Sequence, residues 1–129
     1  MTKERVATVT AAVGAGLLFA TAGLHLSVYS TIMGQTPADL QPLVAALWVA
    51  VGASLIVAAL LAVAATPLFI VRRRALLGIA GLIPLSIAAV QIAYLAFLPP
   101  TGLLLLDAVV LFVAGELGRA YQPRPEPHV

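Results

Sequence analysis

The chain has 129 residues, of which 62% are hydrophobic and 9% charged, with a mean hydropathy of +1.09. A soluble domain carries about 25% charged residues to keep its surface wet, so this composition excludes an ordinary water-soluble fold and points to lipid as the solvent. The 7 basic and 5 acidic residues leave a net charge of +2, too small and too scattered for a nucleic-acid footprint, and the absence of cysteine removes disulfides, thiolate metal sites, iron–sulfur clusters and thiol catalysis.

A membrane-spanning helix needs about 20 predominantly apolar residues, and the sequence predicts four such spans, at about 6–29, 43–71, 75–98 and 102–117. Strands are disfavoured because the runs lack the alternating polar residues of a membrane barrel. Lys3 and Arg5 before an apolar stretch, with Ala20-Thr21-Ala22 beyond it, have the outline of a signal peptide, but the apolar run continues to Val28 and reads as a span. Ala12, Gly16 and Ala20 form a small-residue stripe on the first span, of the kind that lets helix backbones approach in lipid.

The segment Thr31–Pro42 reads as a loop leading into a proline-started helix. The second span carries a longer stripe, Ala46, Ala50, Ser54, Ala58, Ala62 and Thr66, which marks it as the central helix of the bundle. Arg72, Arg73 and Arg74 are expected to form the turn that ends it. Pro84 falls near the middle of the third span, where it should free the Ala80 carbonyl and bend the helix, and Pro99-Pro100 is expected to end that span. After the fourth span, the tail 122–129 alternates proline with polar residues and should be extended and solvated; His128 carries no functional weight.

Four spans place the N-terminus, Arg72–Arg74 and the tail on one face. All 7 basic residues fall there: Lys3, Arg5, the three arginines, Arg119 and Arg124. The positive-inside rule then puts both termini in the cytoplasm. Asp39 lies in the loop on the opposite side and carries little topological information.

Ionisable groups in hydrocarbon are costly, so each is a functional candidate. His25 lies roughly 10 Å and Asp107 roughly 5 Å outward of their span midpoints, whereas Glu116 lies roughly 9 Å inward, near the arginines, and reads as an interfacial ion pair with Arg119 or the turn arginines. Asp107 and Glu116 fall on opposite helix faces and form no carboxylate pair. Thr21 and Tyr29 share the His25 face, Gln91 and Tyr94 share one on the third span, and Trp48 comes to a similar height. His25, Trp48, Gln91, Tyr94 and Asp107 therefore make a candidate pocket in the outer half of the bundle. An aromatic belt of Tyr29, Trp48 and Tyr94 with a purely structural His25–Asp107 pair is the competing expectation.

Were His25 and Asp107 adjacent, the carboxylate would orient the imidazole for proton relay or acid/base work, but no serine elbow and no metal-ligand triad accompanies them. One membrane histidine is too few for zinc or bis-histidine haem, so no cofactor and no metal is expected. In hydropathy the chain is similar to the small multidrug resistance transporters. The likeness stops there, because that family carries an acid midway along its first span and this chain has none between Glu4 and Asp39.

The expectation is an all-α integral membrane protein of the cell membrane: a four-helix bundle over 1–121, with both termini and the tail cytoplasmic. It would act as a binding or accessory subunit whose outer pocket takes a small amphipathic ligand or a partner helix. Beyond the lipid bilayer, its expected partners are further copies of itself or another membrane subunit. Proton-coupled transport through Asp107 and His25, and a membrane enzyme with His25 as acid/base, are the alternatives.

Overall fold

The computed structural model describes residues 2–67, 70–95 and 99–117. It is all-helical, with α1 Lys3–Ser27, α2 Tyr29–Gln35, α3 Gln41–Ala65, α4 Ile70–Leu95 and α5 Pro99–Leu117. Four of the helical stretches are long and apolar enough to cross a membrane: Glu4–Gln35, which joins α1 to α2, then α3, the Arg72–Tyr94 part of α4, and α5. Arg119, Arg124, the tail 122–129 and the end of the third span at Leu98 lie outside the described residues.

The helix boundaries follow from capping chemistry and move several expectations. Thr2 starts α1, its hydroxyl accepting from the Arg5 amide at 3.4 Å. The helix pauses only at Val28 (φ −91°, ψ 3°) before resuming as α2. Thr31–Gln35 is thus helical, and the loop shrinks to residues 36–40. Pro42 lies in the first turn of α3, where its missing N–H costs nothing.

The second span ends at Ala65, short of Val71, because Pro67 follows and cannot prolong a helix. The three arginines are consequently in the first turns of α4 and not in a turn. Arg73 folds back on the preceding helix: its Nε donates to the Ala65 carbonyl at 3.3 Å and its Nη2 to the Thr66 carbonyl at 2.8 Å. Those carbonyls close a helix and have no donor of their own in it, so a cation there meets both an orphan acceptor and the negative end of the helix dipole. Pro99 and Pro100 open α5, a place proline tolerates, and lengthen the fourth span to 19 residues. The α4 helix runs unbroken through buried Pro84.

The four long helices pack as an antiparallel ring in which α1 touches chiefly α3 and α5, and α4 touches chiefly α3 and α5. No helix is central, contrary to the expectation for the second span, and α3 is the least buried of the four spans. The small-residue stripes are also placed differently. Ala12, Gly16 and Ala20 all face outward, while Ala7, Ala11, Ala15, Leu18 and Ala22 fill the seams of α1. On α3 the expected stripe holds in part: Ala58 and Ala62 are buried, Ala46 and Ala50 are exposed, and the buried line runs Gly52, Leu55, Ala58, Ala59, Ala62 and Ala65. Both helices are rich in small residues all round, so composition could not say which line would find a partner.

Two glycines permit close approach. A Cβ on Gly14 would lie 2.7 Å from Leu111 Cδ2, where α1 meets α5, and one on Gly52 would lie 2.7 Å from Leu26 Cδ2, where α3 meets α1. Leu18, Leu55, Leu77 and Leu111 complete the apolar core toward the arginine end of the bundle and its middle.

Candidate functional site

At the end remote from the arginines the ring opens into a cavity of about 450 Å³ that all four long helices line. Thr21, Leu24, His25 and Val28 come from α1, and Trp48, Val51 and Leu55 from α3. Ile87 and Gln91 come from α4, and Pro99, Pro100, Leu103 and Leu104 from α5. Leu55 and Leu104 are buried at its floor, whereas Val28, Pro99 and Pro100 are exposed at its rim. Leu24 and Leu103 are exposed as well, so the rim continues down the side where α1 and α5 face each other.

The wall between α1 and α3 is a reciprocal lock. His25 and Trp48 stack with ring centroids 4.2 Å apart and planes inclined by 11°. The indole Nε1 donates to the His25 carbonyl at 2.8 Å, and the imidazole Nε2 bonds the Trp48 carbonyl at 2.9 Å. Each side chain thus binds the other residue's main chain. The acceptor of the indole is a last-turn carbonyl of α1, a group that a helix leaves without an intrahelical donor. A carbonyl oxygen can only accept, so Nε2 donates, and in the tautomer whose single proton sits there Nδ1 is the lone-pair nitrogen.

Below the cavity the α1–α5 seam is closed by one polar contact. The Thr21 hydroxyl donates to Asp107 Oδ2 at 2.8 Å, and Asp107 is 1% exposed. Across the ring, the Thr101 hydroxyl donates to Gln91 Oε1 at 2.8 Å, tying α5 to α4 beside the Pro99-Pro100 start. These three pairs join consecutive helices around the ring at one end: α3 to α1, α1 to α5, and α5 to α4.

Of the five residues singled out from sequence, His25, Trp48 and Gln91 line the cavity. Asp107 lies just behind it, reached through Thr21. Tyr94 does not belong: it is 83% exposed, since the turn from Gln91 to Tyr94 carries it past the seam to the outer surface. His25 and Asp107 do not bond each other. The hydroxyl of Thr21, one turn before His25, is the group that meets the carboxylate. Thr101 was not singled out from sequence; its position in the first turn of α5, at the height of Gln91, was the available signal. Arg73 was read as one of three equivalent charges, yet it is 5% exposed while Arg74 reaches outward to Glu116 at 2.8 Å. That ion pair is of the interfacial kind expected for Glu116, whereas Arg119 lies outside the described residues.

Among the described residues no group of His, Asp and Glu has the clustering of a metal site. The lining is mostly apolar, interrupted by Thr21, His25, Gln91 and the indole of Trp48. Such a surface holds an apolar body and orients it through a few polar atoms, as small-molecule sites do. Comparison with known proteins returns no match for this chain, whether with protein-family models, with curated protein sequences or with solved structures.

Proposed function

We propose that the chain is a multi-pass protein of the cell membrane, with both termini cytoplasmic, that binds a small amphipathic molecule in the cavity among its four helices. Support for insertion comes from the outward surface. Val9, Val13, Phe19, Leu47, Val57, Leu82 and Val109 are all exposed on helices long enough to span a bilayer. Support for the orientation comes from Arg5 and Arg72–Arg74, which lie at the same end of the bundle among the described residues. Because the chain has no cysteine, single cysteines report sidedness directly. Asp39→Cys should react with an impermeant maleimide in intact cells, and Thr2→Cys and Pro67→Cys only after permeabilisation. The opposite pattern would invert the topology.

The observation that carries the binding reading is the cavity itself, about 450 Å³ in volume, which lies within the range of small-ligand sites of roughly 300–1,000 Å³. Its rim reaches both the end of the bundle and the α1–α5 side, so an amphipathic molecule would enter from the bilayer. An accessory role, in which the cavity end seats a helix of another subunit, uses the same surface.

Native mass spectrometry from mild detergent tests the reading. Wild type should carry a discrete non-detergent mass that disappears in Ile87→Phe, a cavity-filling change, with subunit count unaltered. Bare protein in both cases, equally assembled, would refute a retained small ligand.

A further inference from the structure

Two polar atoms on cavity-lining side chains have no hydrogen-bond partner among the described residues. In its Nε2–H tautomer His25 donates to the Trp48 carbonyl, which leaves Nδ1 as a lone-pair acceptor. Gln91 uses Oε1 on the Thr101 hydroxyl, which leaves its amide nitrogen with two N–H donors. The other side-chain donors on the described lining are committed: the Thr21 proton goes to Asp107 and the Trp48 N–H to the His25 carbonyl. Among the described residues that line the cavity there is no lysine, arginine, aspartate or glutamate.

Building on the reading of this cavity as a ligand site, we propose that it selects an uncharged apolar molecule ending in a hydroxyl, in preference to a carboxylate or an ammonium of the same body. A hydroxyl both donates and accepts, so it satisfies a lone acceptor on α1 and a lone donor on α4 with the same group chemistry. A carboxylate only accepts: it suits Gln91, sets lone pair against lone pair at His25 Nδ1, and meets no cation in the lining. An ammonium only donates: it suits His25, faces the N–H groups of Gln91, and finds no lining carboxylate. Either ion leaves water for a mostly apolar wall without a counter-charge, which is the costly case for burial. The tail of the molecule lies along Val51, Ile87, Leu103 and Leu104.

Trp48 is the sole tryptophan and part of the cavity wall, which makes it the reporter. The full-length protein in phosphatidylcholine nanodiscs is titrated with ω-bromodecanol, whose bromine quenches indole fluorescence on contact. Unbrominated n-decanol, n-decanoate and n-decylammonium then compete, each referenced to its concentration in the bilayer. Saturable quenching is expected, displaced by n-decanol at concentrations at least about tenfold lower than by either ion, the factor that one good hydrogen bond is worth. In Gln91→Leu and His25→Phe, which retains the ring stack and the indole, the preference should shrink to less than about threefold. Equal displacement by decanoate or decylammonium would overturn the hydroxyl selectivity while leaving the cavity a binding site. Quenching that never saturates, and that Ile87→Phe does not change, would overturn the cavity reading and the selectivity together.

Discussion

Replacing Trp48 by phenylalanine deletes the indole N–H that satisfies the His25 carbonyl at 2.8 Å, while an aromatic ring stays against the imidazole. The carbonyl sits in the last turn of α1 and loses a donor that its helix does not supply. Such a loss costs about 1 kcal/mol for the bond and about 1 kcal/mol more for the half-buried acceptor left bare, roughly 2 kcal/mol in all. His25→Phe is cheaper, about 1 kcal/mol, because the Trp48 carbonyl lies within α3 and keeps its helical partner. Contacting residues are ordinarily non-additive. Here each side chain bonds the other's backbone, which survives both substitutions, so the double variant should lose about 3 kcal/mol with a coupling under about 0.5 kcal/mol. Unfolding in mixed dodecylmaltoside–dodecylsulfate micelles, followed by far-UV circular dichroism because Trp48→Phe removes the only indole, measures all four corners of the cycle. A coupling above about 1 kcal/mol, or His25→Phe costing more than Trp48→Phe, would refute this account of the lock.

Further expectations concern packing and charge. Gly14→Ala should destabilise by about 1–3 kcal/mol, since its Cβ would come within 2.7 Å of Leu111 Cδ2, whereas Gly16→Ala meets no atom within 4 Å and should be neutral or stabilise by up to about 1 kcal/mol; the same micelle titration ranks them. Arg73→Met strips two carbonyls at the end of α3 of their donors and should cost about 2 kcal/mol, partly offset because its Nη1 is buried without a partner. Arg74→Ala, by contrast, removes an ion pair between side chains 49% and 53% exposed and should cost no more than about 0.5 kcal/mol, less in high salt. Asp107→Asn retains an oxygen acceptor for Thr21 and should shift stability by less than about 1 kcal/mol, whereas Asp107→Leu strands the Thr21 hydroxyl in the α1–α5 seam; hydrogen exchange at residues 18–25 should rise only in the second.

What the sequence determined by itself is the part governed by composition and by local chemistry. Four apolar runs of spanning length imply four helices regardless of how they pack, because a segment long and apolar enough to cross a bilayer must pair its backbone groups within itself. The positions of Arg5 and Arg72–Arg74 at the starts of their helices, and the proline-started third helix, are equally local properties. The heights of His25, Trp48, Gln91 and Asp107 along their helices followed from rise per residue, and for that reason three of the four meet in one cavity with the fourth directly behind it.

Tertiary structure decided rotation and partnership. Helices made of Ala, Gly, Val and Leu on every side give no apolar moment to orient them. The buried line of α1 therefore fell on Ala7–Ala11–Ala15 and not on the stripe Ala12–Gly16–Ala20, while on α3 the expected stripe is buried at Ala58 and Ala62 but exposed at Ala46 and Ala50, where Gly52 and Leu55 take over the seam. A small rotation also separates Gln91 from Tyr94, sending one into the ring and the other to the outer surface. Only the packed bundle could show that Asp107 answers to Thr21 and His25 to the backbone of Trp48, because hydrogen bonds between helices depend on azimuth, and azimuth in a uniformly apolar helix is set by neighbours and not by the chain itself.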